Sequence, residues 1–389
     1  MTETLAHPSE LQSVRIEQVK ATTLALPAIG TFHLAGGVFS EEGTPTLRVL
    51  VEVRGSNGIR GFAEVTPCPN WCYETVESIT TTIRYHLGPA ILGKPAWDLD
   101  GLHRIMDRVV HPGVSTGQPL AKSGIDVAVH DLLARTLGVP LYVLLGGKRV
   151  DRIRLSFLVS AVEPDEATEL TRTGLKLGYT AFKVKIGIRG EQDDLRIVHA
   201  VRDTAGQDAF LWVDANQGYS LDVAMRVARK LADLGVAAFE QPLRGNSPSQ
   251  FRRLVQLGAV PIAIDESIVS VSDLLEYIRH DAIDIAVAKV QRSAGLWYAR
   301  QQCALAEAAG IQLFGSGLCE TDLGMAVGAH LFAAFGITTP CDLNGRQFVG
   351  SAYLKKRTHV ENGWLIVPDG PGTGVEVSDE LVAKHNAHI

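Results

Sequence analysis

The chain has 389 residues, long for one domain and comfortable for two, and its 46% hydrophobic and 21% charged residues exclude disordered and fibrous classes. The formal net charge is −6, with acids and bases mixed along the chain; no Lys/Arg run is interleaved with aromatic residues, so no nucleic-acid partner is expected. No stretch reaches the roughly 18 apolar residues of a membrane span, and the opening MTETLAHPSE lacks the regions of a signal peptide, so no membrane partner and a cytoplasmic location are expected. The five cysteines are an odd, scattered set; Cys68 and Cys72 have no second pair nearby, which argues for free thiols rather than a zinc site.

In chain order, Val14 to Leu26 and Thr46 to Val65 read as strands, the latter a hairpin turning at Ser56-Asn57-Gly58. Helical periodicity follows from Glu74 to about Ile91 and from Leu99 to Val110, so an α+β module comes first. A helix rich in small residues then runs from Ala121 to Leu133 and ends at Gly138-Val139-Pro140. The expected division is 1–130 for the α+β domain, 131–345 for a catalytic barrel and 346–389 for a tail too short to be a domain, which packs back on the first.

Within the barrel region, eight short apolar runs end at Ser160, Lys185, Asp214, Glu240, Asp265, Lys289, Ser316 and Asp342, spaced by 25, 29, 26, 25, 24, 27 and 26 residues. That period is one strand plus one helix, and eight of them make a closed α/β barrel, the (β/α)8 or TIM barrel, whose chemistry lies at the carboxyl ends of the strands. Gly178, Gly206, Gly235, Gly258 and Gly310 stand as helix stops just before the next strand.

Lys183 and Lys185 are two apart on one strand and share a face, so mutual repulsion and desolvation are expected to lower a lysine pKa toward a usable base. Asp214, Glu240 and Asp265 end consecutive strands, and three carboxylates converging in one mouth need a cation. A hard ion with oxygen ligands, Mg2+ ahead of Mn2+ or Ca2+, fits them. Lys289 falls across the barrel from Lys185, with a small-molecule carboxylate substrate between. The implied chemistry is removal of the proton next to that carboxylate, with the metal stabilising the enediolate.

The lysine pair, the three acids, Lys289, and the phrases AKSGIDVAVHDLLARTLGVPL, VDANQ, EQP, IDES and AEAAGI together resemble the enolase superfamily, in its muconate lactonising enzyme subgroup, from about Val14 to Gly345. The resemblance implies a modified barrel under an α+β capping domain completed by the C-terminal tail, one Mg2+ per site, and a homo-oligomer. It implies acid/base roles for Lys185 and Lys289, a cation in Lys183 that tunes Lys185, and supporting roles for Asn216 and Glu266 around the metal. The reaction it implies is a muconate-type cycloisomerisation, with racemisation or epimerisation of an amino-acid derivative or dipeptide, or syn-dehydration, as alternatives. A catalytically idle barrel is the alternative of another class.

The chain departs from its relatives where many have Gly-Gly after the sixth-strand lysine, reading Ala294-Gly295, and at strand eight, where Asp342-Leu343-Asn344 replaces the Asp-x-Asp of dipeptide epimerases. Asp342 matches the acid of muconate enzymes. The capping loop from Leu26 to Thr46 holds no Lys or Arg, only His33 with Glu41 and Glu42, which argues for a neutral or cationic distal end of the substrate unless backbone amides hold an anion. His33, Trp71, Tyr73, Glu320 and Asp342 are the candidate substrate contacts.

Overall fold

The computed structural model describes residues 8–245 and 247–387. The alternating N-terminal segments form an antiparallel sheet of Ile16–Pro27, Pro45–Gly55 and Arg60–Val65, with Val49, Val51 and Val53 fully buried on one face. Between the first two strands a hairpin, Phe32–Leu34 with Gly37–Ser40, leaves the sheet toward the barrel. The helix expected from Glu74 to Ile91 starts at a Thr75–Ser78 capping box as Val76–Thr82, widens to a π turn at Ile83–Leu87 and continues as Gly88–Ile91. The widening falls where Pro89 lacks the N–H that an α-helix would use. Leu99–Val109 follows as expected.

The helix Pro119–Thr136 is buried on every side apart from half-buried Arg135. Small residues let it come this close: a Cβ on Gly61 would lie 2.0 Å from the Ala128 carbonyl oxygen, and one on Gly124 would lie 2.7 Å from Val65 and 2.8 Å from Val51. Its other side meets the barrel, where Asp126 accepts from the amide of Leu296 at the start of the helix Leu296–Ala308. The expected division at 130/131 therefore falls inside a continuous helix packed on both neighbours.

Seven parallel strands follow in sequence order: Phe157–Val159, Ala181–Lys185, Phe210–Asp214, Ala238–Glu240, Ile262–Ile264, Ile285–Ala288 and Gln312–Gly315. The eighth apolar run is too short for a regular strand, with Pro340 removing a donor at its start. It closes the ring through two parallel bridges, Ser316 to Asp342 and Leu155 to Cys341. The five helix-stop glycines all take positive φ, from 61° to 82°.

The tail returns to both parts of the chain. Trp364–Ile366 pairs with Arg152–Arg154 before the first barrel strand, Val349 and Tyr353 pack with Leu24, Leu26, Leu50 and Phe62 of the capping sheet, and Ala387 donates its amide to Thr23. No helix among the described residues is long and apolar enough to cross a membrane.

Candidate active site

Strand alternation builds the site in layers. Two residues before Asp214, Glu240, Asp265, Lys289 and Ser316 stand Trp212, Ala238, Ala263, Val287 and Phe314, which form their own buried cluster inside the barrel. The residues between them, such as Val213, Phe239 and Ile264, belong to the separate core under the helices. A period of two therefore puts the chemistry-bearing residues in one layer, resting on an apolar floor that excludes water from below. Large Trp212 fits because its neighbours Ala238 and Ala263 are small.

Lys183 is fully buried, 4.4 Å above the Trp212 ring, and its Nζ lies 3.1 Å from Asp214, 2.9 Å from Glu240 and 2.9 Å from Asp342. Burial works against its charge, but Asp342, Glu240 and Asp214 outweigh burial and hold its pKa well above the ordinary lysine value. The expectation that lysine repulsion lowers a pKa is thus reversed at Lys183, because three acids face it from other strands. Lys185 donates to Asp214 at 2.7 Å and to Asn216 at 2.8 Å. Lys289 reaches Asp265 at 2.5 Å; burial opposes its charge, and Asp265 more than restores it, raising its pKa.

The acids respond in opposite directions. Burial would neutralise Asp214, but Lys185 and Lys183 hold it below its usual range; for Asp265, Lys289 and Arg292 do the same. Glu240 is pushed well up, first by burial and then by the charge of Asp214, with Asp265 adding to the push. Glu266, bonded to the Asn216 side-chain amide at 2.9 Å, is pushed up to about 7 by burial, Asp265 and Asp214, and its Oε2 has no hydrogen-bond partner. Among the described residues, no three His, Cys, Asp or Glu groups are gathered tightly enough to hold a metal ion as they stand. The ammonium groups of Lys183 and Lys289 lie against the three acids instead.

A cavity of about 30 Å3 sits at this mouth, lined on its polar side by Lys183, Lys185, Lys289, Asn216, Asp342 and Asn344. Its other side is built by the capping hairpin (Phe32, Leu34, Phe39), the loop before Glu74 (Cys68, Trp71) and the strand-seven loop (Gly317, Leu318, Cys319). Both capping loops thus lie over the strand ends. A larger groove, about 620 Å3, runs between the hairpin and the helix Pro164–Lys176 and touches none of the three lysines.

Of the candidate substrate contacts, Trp71 and Asp342 line the cavity, and Trp71 lies 4.7 Å under the Lys289 ammonium. His33 does not: it sits between Phe32 and Leu34 on a strand, so alternation turns it away, and its backbone N–H and carbonyl instead grip the Ser160 hydroxyl. Tyr73 does not either, being half exposed, with its hydroxyl accepting from the Gln118 amide and the Thr116 hydroxyl. Glu320 faces a separate cavity of about 10 Å3 and bonds Gln291 and the Leu318 amide.

Sequence reasoning missed Arg292, whose buried guanidinium reaches the Asp265 carboxylate, the Asp265 carbonyl and the Val287 carbonyl. Its place three residues after Lys289, on the same loop, was the available signal. The backbone is strained around the same mouth: Asn216, Gln217, Gln241, Ala294 and Cys319 all take positive φ, between 37° and 69°.

Known proteins share this fold. Residues 165–381 match the family model described as enolase C-terminal domain-like, and residues 32–146 match the mandelate racemase/muconate lactonizing enzyme N-terminal domain. Muconate cycloisomerase 1 of Pseudomonas putida is 30% identical over 96% of this chain and 99% of its own. The crystal structure of 2-chloromuconate cycloisomerase from Rhodococcus opacus 1CP superposes with a TM-score of 0.90 at 29% identity, covering 96% of this chain and 100% of that one. A dipeptide epimerase from Enterococcus faecalis V583, solved with Mg and L-Leu-L-Tyr, gives 0.86 at 27% identity, covering 93% and 99%. The chain belongs to the mandelate racemase/muconate lactonizing enzyme family of the enolase superfamily and is an enzyme related to its cycloisomerases and epimerases.

Proposed function

We propose that this enzyme removes the proton next to a substrate carboxylate and that Asp214, Glu240 and Asp265 hold the Mg2+ this requires, with Mn2+ as a substitute. The residues fit such an ion: Glu240 and Glu266 are pushed toward protonation first by burial and then by the charges of Asp214 and Asp265, and a hard cation relieves that gathering of buried negative charge. Bound there, Mg2+ supplies a fixed positive charge that favours enolate formation. Asn216, bonded to both Lys185 and Glu266, orients these groups from behind.

The observation that carries the reading is that Lys185 and Lys289 line one cavity from strands two and six of an eight-membered ring, on opposite sides. A carboxylate substrate between them presents its α-carbon to one amine on each face. One lysine takes the proton as the general base, and the other can return it to the opposite face. Lys183, kept charged by its three acids, stays a cation throughout and favours the developing negative charge. This two-sided arrangement favours racemisation or epimerisation. A muconate-type cycloisomerisation is the second reading, supported by Asp342 at the cavity wall and by the cycloisomerase relatives. Either reading predicts Mg2+-dependent exchange of an α-proton for deuterium, read by NMR on a library of lactones, N-acyl amino acids, dipeptides and prolines in D2O. No exchange across the whole library would overturn both.

A further inference from the structure

We infer, resting on the carboxylate-binding reading above, that the far end of the substrate is uncharged and apolar, neither a second carboxylate nor a cation. The polar residues of the cavity are gathered on the barrel side, while the side that would cover the rest of the substrate is Phe32, Leu34, Phe39, Cys68, Trp71 and Leu318. That wall carries no cationic side chain of its own to meet a carboxylate. The cations among the described lining residues are Lys183, Lys185 and Lys289, and all three stand on the barrel side, with the place proposed for the substrate's reacting carboxylate.

Arg48 of the capping sheet, which stands against the Phe39 ring, is buried and engaged within the protein. Its Nη1 donates to the Thr46 hydroxyl and the Leu47 carbonyl, its Nη2 to the Cys319 carbonyl, and its Nε lies 3.3 Å from Glu64. Two backbone amides at the strand-seven side of the wall are committed, Gly317 to the Asp342 carbonyl and Leu318 to the Glu320 carboxylate. Burying an uncompensated carboxylate there is costly.

A cation fares no better, although three aromatic rings stand at the wall. Lys289 lies 4.7 Å from the Trp71 centroid, Lys185 lies 5.5 Å from that of Phe32, and Arg48 lies 5.6 Å from that of Phe39. Each ring face is already taken by a basic side chain of the protein, where a substrate ammonium needs an open aromatic face. The two thiols at the wall are neutral, since burial pushes both Cys68 and Cys319 upward. What remains is a wall suited to an alkyl or aryl group.

Three N-acyl alanines with one head and matched tails test this: N-hexanoyl, N-adipoyl with a terminal carboxylate, and N-(6-aminohexanoyl) with a terminal ammonium. Binding is read by calorimetry with Mg2+ present, and α-exchange by NMR in D2O. The hexanoyl compound is expected to bind at least about tenfold more tightly than either charged one. Phe39→Arg, with its melting temperature checked against wild type, is expected to shift the preference toward the adipoyl compound. A charged probe that binds wild type as well as the neutral one overturns the inference, and so does failure of all three to bind. Preferential binding of the hexanoyl compound without exchange would leave the inference standing and count against proton abstraction instead.

Discussion

Lys183 and Lys185 direct their ammonium groups to the same carboxylate oxygen, Asp214 Oδ2, at 3.1 and 2.7 Å. Alternation along one strand brings the two cations to one face, and the next strand supplies the acid that makes this tolerable. Asp214 is therefore both a lysine partner and a proposed metal ligand, and its replacement has two consequences.

Asp214→Asn keeps the shape and removes the charge. Mg2+ affinity measured by calorimetry is expected to fall by about 10- to 100-fold, with activity lost and the circular dichroism spectrum unchanged. Unchanged Mg2+ affinity in this variant would count against the ligand assignment.

The acid/base roles proposed for Lys185 and Lys289 are separable by stereochemistry. Lys185→Ala is expected to lose α-proton exchange for one enantiomer of a racemisable substrate and keep part of it for the other, and Lys289→Ala to show the reverse, each loss about 100- to 10,000-fold. Equal loss for both enantiomers in both variants, with Mg2+ still bound, would leave a one-base mechanism.

The contact between the capping sheet and the helix Pro119–Thr136 depends on a missing side chain. A Cβ on Gly61 would lie 2.0 Å from the Ala128 carbonyl oxygen and 2.3 Å from the Leu132 amide nitrogen, both backbone atoms that cannot swing aside. Gly61→Ala is expected to cost about 3 kcal/mol or more of stability. Chemical unfolding that shows less than about 1 kcal/mol would mean the sheet can shift freely on the helix.

His330 gives the stability an acid limb. It is fully buried on the helix Asp322–Ala334, its Nδ1 has no hydrogen-bond partner, and burial pushes its pKa down to about 4 from 6.5. As pH falls, the unfolded chain takes up this proton first, so the contribution is complete above 6.5 and lost on the way down through about 4. Its full size is about 3 kcal/mol. Unfolding measured from pH 7.5 to 4 should show wild type losing more stability than His330→Met. Parallel curves for the two proteins would refute the assignment.

Which residues gather at the barrel mouth was legible in the sequence because it rests on local geometry. A strand alternates with period two and a strand-helix unit has a nearly constant length, so Lys185, Asp214, Glu240, Asp265 and Lys289 declare a common layer, with Lys183 one step below on the same face, without any knowledge of which partners they meet. The partners themselves were decided by ring closure, which no local pattern encodes. Closure brings Asp342 from the end of the barrel onto Lys183 near its start, reversing the expected effect on that lysine, while the loop after strand six turns Arg292 back onto Asp265 of the neighbouring strand. The lid was misread for a similar reason. Composition singled out His33 and Tyr73, but the hairpin's orientation over the mouth buries Phe32 and Leu34 in the cavity wall and leaves His33 on the opposite face, while Tyr73 bonds the start of the helix that carries Gln118 at its cap. Which face of a short hairpin meets the barrel is set by packing between distant segments, and that is a property of the assembled tertiary structure alone.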